Sequence, residues 1–151
     1  MEASVEVFPF YRIAYVRHTG PYGSAQVQAM KQLKRWAREK GLLTESAILF
    51  GIPLDDPQTT PPEKCRYDAC IVLAKEEPID DAVCEGELVG GDYVVFKIRH
   101  SAEAIQNAWA DVFSAVRRMG YRVDDRPDLE KYAGDLIVRD LCEICVPIKP
   151  V

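Results

Sequence analysis

The chain repeats itself, and that duplication limits what it can fold into more than any single motif does. Arg17-His18 in "YVRHTGPYG" recurs as Arg99-His100 in "FKIRHSAEA", an offset of 99 − 17 = 82. Each pair follows a β-rich run, "YRIAYV" and then "DYVVFKI", and precedes a helical segment that ends at a glycine. The first helix is expected over about Tyr22 to Lys40, with Val27, Met30, Leu33 and Ala37 on one stripe and Gly41 as its C-cap. The second is expected over about Ala102 to Met119. It carries Ile105, Trp109, Val112, Phe113 and Val116, with Ser101 as N-cap and Gly120 as C-cap. Counting back from the two glycines pairs Met30 with Trp109.

Two extended segments follow each helix. They are "SAILFGIPL" and "RYDACIVLA" in the first half, and "PDLEKYAG" and "DLCEICVPI" in the second. Matching Cys70 to Cys145 aligns Asp68 with Glu143, and the acidic "KEEPIDD" region separates the halves. The expected fold is therefore α+β. Two β-α-β-β units, about residues 5–75 and 85–150 of one domain spanning 1–151, form an antiparallel sheet with two long helices. Neither half buries its sheet face alone, so the two pack about a pseudo-twofold axis with a ligand cleft between them.

At 151 residues and 48% hydrophobic, the chain can build a sizeable core. Its formal net charge of −5, with no basic block, argues against a direct nucleic-acid surface. No apolar run approaches the ~20 residues of a membrane span, and no signal peptide is evident, so a soluble cytoplasmic protein is expected. The five cysteines, Cys65, Cys70, Cys84, Cys142 and Cys145, read as reduced and mostly buried. Cys142 and Cys145 lie three apart on a strand and point to opposite faces, so they cannot share a metal. No metal or cofactor motif is present.

Strand alternation puts Glu143 between Leu141 and Cys145 on one face of an otherwise apolar segment. An unpaired carboxylate there costs several kcal/mol or takes up a proton. It either pairs with Lys97 or an arginine, or forms the floor of a cleft that attracts a cation or a hydrogen-bond donor. Asp68, its repeat mate, has Arg66 beside it and reads as structural. The faces away from the helices carry Tyr11, Tyr15 and Tyr93, so the cleft is expected there. Trp109 is either core or ligand platform. Tyr67 reads as half-buried, with a phenol that can reach a cleft edge. Trp36 reads as surface packing, and His18 and His100 as equivalent structural positions.

Together "VRHTGPY", "GIPLDDP…TPPEKCRYDACI", "AWADVF" and "LCEICVPIKP" resemble the GyrI-like small-molecule-binding domain, also called the AraC-type effector-binding domain, a duplicated SHS2-type fold. The resemblance runs from about Val5 to Pro150. It implies capture of hydrophobic, often cationic compounds, of the multidrug-binding kind, in a cleft. Glu143 would lie at its base, with Trp109, Tyr67, Tyr93 and Tyr15 as wall residues. It also implies two alternatives. One is a hydrolase of cyclopropane-bearing genotoxic natural products, with Glu143 and Tyr67 catalytic. The other is a protein partner, gyrase or a regulator. Relatives often carry a DNA-binding helix-turn-helix, for which this chain leaves no room.

Overall fold

The computed structural model describes residues 1–149; Pro150 and Val151, the end of the expected domain, lie outside the described residues. The elements, in order, are β1 (Glu2–Phe8), β2 (Tyr11–Thr19), α1 (Ser24–Glu39), β3 (Ile48–Pro53) and β4 (Arg66–Leu73). The second half follows with β5 (Cys84–Leu88), β6 (Gly91–Arg99), α2 (Ala102–Arg118), β7 (Arg122–Val123), β8 (Leu129–Ala133), α3 (Gly134–Val138) and β9 (Leu141–Lys149).

One antiparallel sheet runs β1-β6-β9-β8-β3-β4-β2-β5, with β7 added on β9. Exchanging β1 with β5, β2 with β6, β3 with β8 and β4 with β9 reproduces this order in reverse. The pseudo-twofold axis therefore passes between β3 and β8. Each half opens with an extra short strand that pairs with the other half: β1 lies on β6, and β5 lies on β2.

The backbone fixes how the halves correspond. Gly20 N–H donates to Cys65 O at 2.8 Å, and His100 N–H donates to Asp140 O at 2.9 Å. The offset is thus 100 − 20 = 80 in the opening strands and 140 − 65 = 75 in the closing ones. Matching Arg17 to Arg99 is two residues out, so Ile13, not Tyr11, is the mate of Tyr93, and the two histidines are not equivalent. His18 Nε2 meets Gln32 Oε1 at 2.9 Å, whereas His100 packs its ring 5.3 Å from that of Tyr132. A two-residue slip preserves which side chains share a face, because strand side chains alternate with period two.

Both helices lie on one face of the sheet. Helix α1 buries Ala25, Ala29, Leu33, Trp36 and Ala37 against Ala14, Val16, Ala69, Ile71 and Leu73. The alanines let the helix sit close to the strands, and the stripe is rotated from the expected one, leaving Val27 exposed. Trp36 is buried, not a surface residue: its Nε1–H donates to Asp80 Oδ1 at 3.0 Å and pins the acidic connector to the helix. Helix α2 starts where Ser101 Oγ accepts the Ala104 N–H at 3.1 Å, and covers Val94, Phe96, Ile144 and Val146 with Ala108, Val112 and Val116. Gly41 and Gly120 follow the helices with φ of 71° and 92°, a left-handed turn that costs glycine little.

The face away from the helices is a packed core. Phe8 of edge strand β1 and Leu88 of edge strand β5 belong to the same cluster as Ile13, Phe50, Ile52, Cys70, Tyr93, Val95, Leu129 and Cys145. The sheet curls enough to bring Phe8 of edge strand β1 within 6.4 Å of Phe50 on the central strand β3, ring centre to ring centre. Phe8 stacks on Tyr93 at 4.6 Å, and Tyr11 meets Phe50 at 5.7 Å. The aromatic residues expected to wall a cleft on this face fill it instead.

Candidate functional site

Strand β8 is short, but it sits at the centre of the sheet, between β3 and β9. Its alternation sends Leu129 into the helix-free core and Glu130 and Tyr132 to the helix side. Tyr132 packs against the clusters under both α1 and α2, which places this pair in the seam between the helices. Glu130 stands directly opposite Gly51 of β3 in the strand register, at the pseudo-twofold axis.

The Glu130 carboxylate, 1% exposed, is held by three neutral donors from three elements. Tyr67 of β4 and Tyr132 of β8 each donate a phenolic O–H to Oε1 at 2.9 Å, and Trp109 of α2 donates Nε1–H to Oε2 at 3.0 Å. Trp109 is itself stacked on Phe113 at 6.1 Å. Behind Tyr67, Tyr22 approaches edge-on at 6.5 Å; its hydroxyl donates to Arg66 O at 2.8 Å and accepts the Asp55 N–H at 3.0 Å. This ties the proline-rich loop between β3 and β4 to the start of α1.

Burial raises the Glu130 carboxyl above its ordinary value, while the Trp109, Tyr67 and Tyr132 hydrogen bonds act in the opposite sense. Burial and the adjacent carboxylate together push both phenols far up, so they remain donors. Burial, with the same carboxylate adding to it, pushes the Cys142 thiol up to about 12, so it stays protonated. Among the described residues no lysine, arginine or histidine forms an ion pair with Glu130. An internally solvated but charge-uncompensated carboxylate can accept a cation or a strong hydrogen-bond donor, and it exerts that attraction in a site with little water.

The expected site residues divide between the two faces. Tyr67 and Trp109 converge on Glu130. Glu143 is on the opposite face, 8% exposed, next to Cys145, with Lys131 Nζ at 4.0 Å from its Oε1. Lys131 in turn lies 5.2 Å from the centre of the Phe8 ring. Glu143 therefore does not form the base of a space shared with Trp109, and it cannot act as a pair with Tyr67. Tyr93 is buried in the helix-free core under the Arg126 guanidinium at 4.9 Å, and Tyr15 is half-buried on that same face, with Arg17 at 5.6 Å. Asp68 is structural, but its partner is Arg17, at 2.7 and 2.9 Å; Arg66 pairs with Asp55.

Glu130 and Tyr132 escape a reading that searches for an acid flanked by apolar neighbours, since Glu130 stands between Leu129 and Lys131. The available signal is positional. In each half the extended segment just before the closing strand, β3 and β8, is the one that meets its repeat mate at the axis, so an acid in "LEKYA" is central to the molecule.

Among the described residues no cluster of three His, Cys, Asp or Glu is placed to hold a metal ion, and no helix is long and apolar enough to cross a membrane. The sequence matches the GyrI-like small molecule binding domain over residues 1–149. It is 39% identical over 150 residues to the SPbeta prophage-derived protein YosT of Bacillus subtilis (strain 168), spanning 99% of this chain and all of that one. It is 28% identical over 122 residues to DNA gyrase inhibitor 1 of Dickeya dadantii (strain 3937), with 77% of each covered. Among solved structures, the EcmrR C-terminal domain superposes with a TM-score of 0.77 at 14% identity, over 99% of this chain and 98% of that one. The chain spans 58% of the length of EcmrR in its complex with DNA. SAV2435 bound to tetraphenylphosphonium superposes with a TM-score of 0.57 at 15% identity, over 99% of this chain and 94% of that one. At these identities the structural likenesses speak for the fold alone. With a family match over 149 of 151 residues, the chain belongs to the GyrI-like small molecule binding domains.

Proposed function

We propose that the chain binds hydrophobic, cationic aromatic compounds in the seam between α1 and α2, with Glu130 as the charge that receives them. The observation that carries this reading is a carboxylate 1% exposed, held by three neutral donors and by no cation. A ligand cation near 4 Å gains about 4 kcal/mol at an effective dielectric of 20, several times its value in water. Trp109 and Tyr132 are the half-buried members of the set, and the Trp109 indole, carried on α2, can leave Glu130 and stack on the ligand. Tyr67 and Tyr132 then keep the carboxylate oriented.

The test is a titration with tetraphenylphosphonium, chosen because SAV2435 has been seen with it, against its neutral analogue triphenylphosphine oxide. Wild-type protein should prefer the cation. Glu130→Gln should weaken cation binding at least ~10-fold, the equivalent of 1.4 kcal/mol, and leave the neutral compound unaffected. Glu143→Gln should bind like wild type. Unchanged cation affinity in Glu130→Gln, or its loss in Glu143→Gln, would refute the assignment. Mass spectrometry of the recovered compound separates capture, which returns it intact, from hydrolysis, which adds water. Because a relative is named DNA gyrase inhibitor 1, a supercoiling assay with the purified chain tests a protein partner separately.

A further inference from the structure

We propose that Gly51 is the positioning residue of this cluster: the absence of a side chain there is what allows the Tyr67 phenol to cross the axis and reach Glu130. The geometry of the cluster carries this role whatever the cluster binds.

Gly51 lies inside β3, a buried central strand, between Phe50 and Ile52. A glycine in such a place weakens the strand, because it packs nothing and loses more backbone freedom than other residues. Its φ lies outside the left-handed region, so the backbone itself does not demand glycine. Space does. A Cβ built at Gly51 would fall 1.7 Å from the Tyr67 hydroxyl oxygen, 2.7 Å from the Cζ that bears it, and 2.7 Å from Glu130 Oε1. The phenol therefore lies across the glycine Cα on its way from β4 to β8. The strand register agrees: Gly51 faces Glu130 on one side and Ala69 on the other, while Tyr67 sits opposite Pro53 and leans back over the gap.

Any side chain at position 51 must push Tyr67 off the carboxylate. That leaves Glu130 with Tyr132 and Trp109 alone, and with less support for its ionised form. The titratable groups that face Glu130 are Tyr67 of β4, Tyr132 of β8 and Cys142 of β9, and all three stay protonated through the range in which a carboxylate titrates. His100, at the start of α2, reaches the cluster only through the Tyr132 ring.

The experiment compares Gly51→Ala, Tyr67→Leu and the double variant by urea unfolding at about pH 4 and about pH 8, with Glu130→Gln as a further background. Leucine at position 67 removes both Tyr67 atoms that the new methyl would strike. Gly51→Ala should lower the unfolding midpoint, by more at the higher pH, and by much less once position 67 is leucine. In the Glu130→Gln background the pH difference should vanish. Equal losses in both position-67 backgrounds, or a loss independent of pH, would show that the glycine merely packs, and would overturn the proposal. If Gly51→Ala alone does not fold, recovery of folded protein in the Gly51→Ala/Tyr67→Leu double variant supports the inference, and failure of both overturns it.

Discussion

Replacing Tyr67 with phenylalanine removes one oxygen and keeps the ring that packs against Tyr22 and the α1 core. What disappears is an O–H donor 2.9 Å from a carboxylate that is 1% exposed. A hydrogen bond to a buried charged group contributes roughly 1.5–3 kcal/mol. A loss of about 2 kcal/mol lowers the melting temperature of a domain this size by about 4–8 °C. The pH dependence identifies the mechanism. Burial raises the folded-state value of Glu130 above the ordinary 4.5. Its favourable contribution is therefore complete below that ordinary value and is lost as pH rises through the higher folded one. Tyr67 supports the ionised form, so deleting its hydroxyl raises the folded value further and extends that loss. The deficit of Tyr67→Phe relative to wild type should be small near about pH 4 and reach its full size near about pH 8. Urea unfolding of both proteins at the two pH values measures it, and other titrating groups cancel in the difference. A deficit of the same size at both, or none at either, would mean that the phenol does not support a charged Glu130.

Leu33→Ala empties a fully buried position under α1 and should cost about 2–5 kcal/mol, read as a shift in chemical-denaturation midpoint. Trp36→Phe removes the bond to Asp80 and should speed amide exchange at Ala82, whose N–H rests on the same Asp80 Oδ1 at 3.0 Å, while leaving exchange in β9 unchanged. Asp68→Asn breaks the two-point contact with Arg17. Because the arginine is 43% exposed, solvent already screens the pair, and the loss should be no more than about 1 kcal/mol and should shrink in high salt.

Most elements were legible because their pattern is local. The α2 stripe, the Ser101 cap and the strands of "RYDACIVLA" and "DLCEICVPI" follow from spacing alone, as does the side on which each strand residue lies. Strand β1 was not legible. Its residues are mostly exposed, Val5 and Val7 included, so no half-buried alternation marks it, and it pairs with a strand about ninety residues away rather than with its neighbour. The separation of Glu143 from Tyr67 and Trp109 is hidden for a related reason. Glu143 was correctly read onto the helix-free face, and that face was read as the open one. Whether it stays open depends on how far eight strands twist and curl, and here the curl brings Phe8 of edge strand β1 to Phe50 of the central strand β3. That is a property of the whole sheet and leaves no trace in a nine-residue window. Trp109 and Tyr67, which both bond to Glu130, stand out in any register because they are aromatic residues on buried faces.

The duplication also explains why the seam holds one acid and not two. A pseudo-twofold axis between β3 and β8 makes each axial residue the direct neighbour of its own repeat mate, and at this level the pair is Gly51 and Glu130. Side chains facing each other across antiparallel strands have Cβ atoms about 5 Å apart. Two glutamates there would be like charges held together in a place that already raises the value of one, so at least one would be forced neutral. A symmetric pair of small residues would leave the seam without charge. Only an unequal pair gives a single ionisable carboxylate together with the space for a phenol from the other half to reach it. Tyr67 comes from the first repeat and Glu130, Tyr132 and Trp109 from the second, so the donors to the acid are drawn from both copies although the acid belongs to one. Divergence of the two halves at the axis is therefore a physical requirement of a single-charge site in a duplicated fold.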